Sequence, residues 1–107
     1  MAWVYLFAAG LLEVVWAYFM KSSAGFTRLW PSLATIAFMG VSFALLSVSM
    51  KTLPMGVAYT IWTGIGAVGA ILVGWLVLGE RLAPLQVVAG VLIVSGLVLM
   101  RLSSPQA

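Results

Sequence analysis

The sequence predicts an all-α integral membrane protein with four transmembrane helices, and three observations carry that expectation. Of the 107 residues, 64% are hydrophobic and 7% charged, with a mean hydropathy of +1.23. A soluble domain carries roughly 25% charged and 45–50% apolar residues, so this chain lacks the polar side chains to coat a surface facing water. Its seven charges leave four long apolar stretches, at 2–20, 29–50, 53–78 and 82–100. Each is near the ~20 residues that an α-helix needs to cross a ~30 Å hydrocarbon core. The period-two alternation of a β-barrel is missing from all four.

Taken in order, the elements form a single four-helix transmembrane domain over 1–107, with helices at about 2–20, 31–50, 54–78 and 84–101. The first is too poor in basic residues at its start, and too interrupted by Glu13, to be a cleaved signal peptide. A polar loop from Lys21 to Arg28 follows, and Pro31 falls in the first turn of the second helix, where a missing N–H costs nothing. Lys51, Thr52 and Pro54 mark the second loop, and residues 79–84 the third. A tight bundle of four such helices leaves little room for a polar path, so a pathway calls for a second copy.

Composition also excludes several functions. With no Cys or His, thiolate and imidazole metal sites are ruled out, as are a Cys nucleophile and a His general base. No nucleophile–base pair can be assembled, which argues against an enzyme, and neither metal nor cofactor is expected. Lys21, Arg28, Lys51, Arg81 and Arg101 are scattered and form no patch for nucleic acid. With both termini on one side, that side holds Lys51 and Arg101, the other Lys21, Arg28 and Arg81. Orientation follows the Lys/Arg bias of short loops. Two against three fits either a single orientation or copies inserted both ways and paired head to tail.

Glu13 is the residue that needs a reason. It lies about eleven residues, or ~16 Å, along the first helix, near the bilayer midplane. An acid there costs roughly 2.5–3.5 kcal/mol on insertion scales, and such residues mark ion or proton pathways. No cationic residue shares its depth, so its counter-charge must be a proton or a ligand. Trp16 and Ala17 follow on its face, and Ala9 and Gly10 leave space beside it. Tyr59, Trp62 and Thr63 share a face of the third helix, and Ser42 is the polar residue nearest the middle of the second. Indole and phenol faces attract cations, while their N–H and O–H groups can orient a carboxylate. Trp3, Tyr5, Trp30 and Trp75 suit the membrane interface. Gly64, Gly66 and Gly69 imply close packing or a kink in the third helix. The small residues Gly66, Ala70 and Gly74, and Ala89 with Gly96 flanking Ile93, could pack a dimer or a single bundle.

These residues resemble the small multidrug resistance transporters over essentially the whole chain. The match comprises Glu13 and residues 21–32 (KSSAGFTRLWPS), 54–59 (PMGVAY) and 61–66 (IWTGIG), in the family's order. Trp16, residues 51–54 (KTLP) and 62–69 (WTGIGAVG) are most similar to its guanidinium-exporting branch. The branch that exports bulky quaternary ammonium and aromatic cations usually has a small residue at the place of Trp16. The resemblance implies an antiparallel, dual-topology homodimer in the bacterial inner membrane. It implies that guanidinium-type cations and protons compete for two Glu13 carboxylates, with Trp16, Ser42, Tyr59 and Trp62 orienting them. Gly10 and Thr63 would extend the pocket, and Ala89, Ile93 and Gly96 would lie at the dimer contact. The rival functions are broad export of quaternary ammonium or polyaromatic cations, and a membrane scaffold that transports nothing.

Overall fold

In a computed structural model, described for residues 1–103, the apolar stretches become four helices: α1 (Ala2–Ser22), α2 (Leu29–Ser49), α3 (Met55–Leu76) and α4 (Pro84–Leu102). Each is long and apolar enough to cross a membrane, spanning about 30 Å at 1.5 Å per residue. No strand occurs among the described residues.

Proline sets the starts of three helices. Pro31 is the third residue of α2, which begins two residues before the predicted start. Pro54 caps α3 from outside, and Pro84 opens α4, where the Gln86 side chain accepts the Ala83 N–H at 2.9 Å. Between α1 and α2 the chain turns through three successive left-handed residues, Ala24, Gly25 and Phe26, at φ 51°, 75° and 65°. Ser23 holds this turn: its hydroxyl donates to the Met20 carbonyl at 2.7 Å and accepts the Phe26 N–H at 3.0 Å. After α3, Gly79 takes φ 71° and the Glu80 N–H returns to the Gly74 carbonyl at 2.8 Å. The Glu80 carboxylate then pairs with Lys21 at 3.5 Å instead of with its neighbour Arg81, tying the third loop to the end of α1.

The helices do not form the tight bundle expected from the sequence. They make a slab of 43 × 34 × 16 Å in the order α2, α1, α3, α4, with the backbone of α4 packed along α3. Its radius of gyration of 14.6 Å exceeds the ~13 Å of a compact chain this long. The core is small: Leu6, Ala9, Leu46, Leu53, Ala58, Ile61 and Trp62. It gathers at the end of the slab where α1 and α3 begin and α2 ends. So thin a core would not hold a soluble domain. In lipid, exposed Leu and Val carry no hydrophobic penalty, and close helix contacts matter instead.

Glycines supply those contacts between α1 and α3. A Cβ at Gly10 would meet Ile65, one at Gly66 would strike Glu13 and one at Gly69 would strike Val14, while one at Gly74 would strike Glu80 of the third loop. At Gly64 it would meet Leu97 of α4. Of the Gly66–Ala70–Gly74 stripe, Gly66 packs against α1, Gly74 meets the third loop and Ala70 is exposed, and α3 runs unbroken through Gly64, Gly66 and Gly69. Gly69→Leu is expected to cost about 1–3 kcal/mol through overpacking, read as a lower melting temperature in detergent. Gly40→Leu, with open space at its Cβ, is expected to leave that temperature unchanged.

Candidate functional site

The backbone brings Glu13 to the seam between α1 and α3, one residue of each helix deciding the contact. Gly66 has no side chain, and the carboxyl of Glu13 fills the space a methyl group would occupy. One carboxyl oxygen, Oε1, is buried, and no described residue hydrogen-bonds to it. The described ion pair, Lys21 with Glu80, lies at the end of α1, two helical turns from Glu13. A buried carboxylate left without donor or cation is costly, so the group must be neutralised by a proton or a cation.

One helical turn from Glu13 lies a buried relay joining three helices. The Trp62 indole N–H donates to the Ser42 hydroxyl at 3.0 Å, and that hydroxyl donates to the Ala9 carbonyl at 2.7 Å. In an α-helix the Ala9 carbonyl also accepts the backbone N–H of Glu13, four residues on. Ser42 and Trp62 thus hold the turn of α1 that carries the acid, without touching its carboxyl group. Because Trp62 and Gly66 are also four apart, the relay and the Glu13–Gly66 contact follow each other at one-turn spacing on both helices.

Aromatic rings extend from this relay. Phe43 meets Trp16 edge-on at 6.3 Å and Trp62 edge-on at 5.6 Å, while Tyr59 lies 5.6 Å from Trp62 in a tilted contact. Trp62 is 7% exposed, but Tyr59 is 53% and Phe43 46% exposed, so the cluster is sealed on the protein side and open on the other. The Trp16 indole nitrogen is buried without a hydrogen-bond partner among the described residues. Beside the acid, then, stands a second unspent polar atom, a donor.

The remaining residues singled out from the sequence are spread more widely. Thr63 is exposed one turn beyond Tyr59, on the open side of the cluster. Gly10 is covered by Ile65 and leaves no space of its own. On α4, Ala89 and Gly96 are exposed and Ile93 is half-buried. Phe43 escaped the sequence reading. It adjoins Ser42, but an apolar residue in a hydrophobic helix carries no signal of its role.

Comparison with known proteins decides the family. A profile for the Small Multidrug Resistance protein family matches residues 1–103. The chain belongs to this family. It is 55% identical over 104 residues to the guanidinium exporters of Citrobacter freundii and of Salmonella typhimurium. With the guanidinium exporter of Escherichia coli strain K12 it is 51% identical over 104 residues. Each match covers 97% of this chain and 99% of the relative. It is a multi-pass membrane protein of a transporter family, not an enzyme family.

Ser42→Ala is expected to leave the Trp62 N–H without its acceptor inside the core, at a cost of about 1–3 kcal/mol. The Trp62 indole resonance in an NMR spectrum of 15N-labelled protein should move, while those of Trp30 and Trp75 stay in place.

Proposed function

We propose that the protein exports guanidinium and small substituted guanidinium cations in exchange for protons, working as an antiparallel homodimer. The observation that carries this is the Glu13 carboxyl, deep in a membrane helix and unpartnered by any described residue, in a chain half identical to guanidinium exporters. A carboxylate in that setting is neutralised by a proton or by a bound cation. It cannot serve both at once, and this competition couples the two flows without a covalent step.

Guanidinium suits such a site. It is planar and presents a fork of N–H donors that a carboxylate accepts bidentately. Desolvation of a charge is offset only when its hydrogen bonds are remade, and guanidinium can remake them with an acid on each side. The second acid would be Glu13 of an oppositely oriented copy, meeting the first across the open aromatic face. There Tyr59 and Phe43 offer ring faces to a cation, and the Trp16 N–H is free to donate to a carboxylate oxygen. Trp62 and Ser42 act as positioning residues through the Ala9 carbonyl. Thr63 borders the same space, and Ala89, Ile93 and Gly96 are assigned to the contact between copies. Two opposed copies exchanging conformations would expose the acids to each side of the membrane in turn.

Proton-driven uptake into liposomes separates this function from its rivals. Guanidinium transport is expected to exceed tetrapropylammonium transport, and Glu13→Gln should abolish both. Gly66→Ala, which sets a methyl group against the carboxyl, should raise the guanidinium concentration needed for half-maximal transport at least tenfold. A preference for tetrapropylammonium would assign the broad multidrug function. Undiminished transport by Glu13→Gln would remove the acid from the mechanism, and no transport by the native chain would leave a scaffold.

A further inference from the structure

The backbone of α4 packs along α3, and α4 reaches α1 through Arg101 on the Trp3 ring, leaving a lateral groove of about 680 Å³ among the three helices. Trp3, Phe7 and Leu11 of α1 form one wall, Ile65 of α3 the floor, and Leu97 and Arg101 of α4 the other wall. From Trp3 to Leu11 is about 12 Å along the helix, most of the depth of one leaflet's hydrocarbon. The lining is apolar except for Arg101, in the last turn of α4 where that helix leaves the membrane. We infer that the groove binds an acyl chain of an anionic phospholipid, whose phosphate is held by Arg101.

Both ends of such a lipid find a matching surface. The Arg101 guanidinium carbon lies 4.4 Å from the centre of the Trp3 ring, which occupies one face of the planar group. The N–H groups around its edge can still fork onto phosphate oxygens. Trp3 itself is at the depth where indoles settle among headgroups. Below them the wall offers only carbon, which suits a hydrocarbon tail and gives a guanidinium ion nothing to bind.

The geometry also chooses lipid over a second copy. Leu11 and Glu13 are two residues apart on α1, so their side chains diverge by about 160° around the helix. A copy that meets Glu13 across the aromatic face lies on the opposite side of the slab and leaves the groove to the bilayer. That placement of the second copy rests on the proposed pairing; the match of charge and depth does not.

The test is native mass spectrometry of protein equilibrated with equal amounts of phosphatidylglycerol and phosphatidylcholine carrying identical chains. The native protein is expected to retain the anionic lipid by about fivefold. Arg101→Gln should reduce that preference to parity while lipid still binds, whereas Arg28→Gln, in the first loop, should preserve it. Ala8→Trp, which fills the groove, should lower retention of both lipids. Equal retention by the native chain, or an intact preference in Arg101→Gln, overturns the inference. So does an Ala8→Trp protein that separates into monomers with its lipid unchanged, because the groove would then belong to a second copy. Guanidinium transport provides the independent readout: its loss in the native protein strikes the proposed exchange and leaves the lipid result standing.

Discussion

A charge cannot rest unaccompanied inside hydrocarbon, and this chain places one carboxyl group there. The insertion cost of roughly 2.5–3.5 kcal/mol is tolerable for a helix as apolar as α1, but it fixes what surrounds the acid. Gly66 must lack a side chain so that α3 can close over Glu13. The Ala9 carbonyl, which begins the turn carrying Glu13, is tied through Ser42 to Trp62. Three helices are thereby committed to the position of one residue, yet none of them supplies it with a counter-ion. That combination of fixed placement and missing charge is what an exchanger needs.

The slab shape follows from the same economy. A bundle closed on all sides would bury Glu13 permanently and seal it from both ions and protons. Keeping Tyr59 and Phe43 open on one face leaves a surface on which the proposed second copy completes the site. The glycine contacts between α1 and α3 contribute differently: they allow backbones to approach closely enough for dispersion and packing to hold helices that gain nothing from excluding lipid. The groove beneath α4 lies on the other side, so substrate and lipid need not compete for space.

Much of this was legible in the sequence because membrane crossing imposes a strong and simple signal. Helix lengths and the depth of Glu13 follow from where charges fall, and Pro31, Pro54 and Pro84 marked the starts of three helices to within two residues. Tertiary arrangement was less legible, because a helix hydrophobic all round does not reveal which face meets protein. For that reason the Gly66–Ala70–Gly74 stripe left packing and dimerisation unresolved, and the open slab was not foreseen. The chemistry of Trp62 and Ser42 marks them in the sequence, but their bonds to each other and to the turn of α1 arise only from the packing of three helices. Phe43 was invisible for the same reason as the groove: both depend on how apolar surfaces meet.

The central claim is that Glu13 holds a proton or a guanidinium ion and never both. Counting protons released when guanidinium is added to weakly buffered, detergent-solubilised protein tests it most directly, with the pH of the titration varied. Release is predicted to approach one proton per bound Glu13 carboxylate at pH values where the acid begins protonated. It should decline as the acid begins ionised, and vanish in Glu13→Gln. Guanidinium binding with no proton release at any pH, or release that persists in Glu13→Gln, would contradict the account.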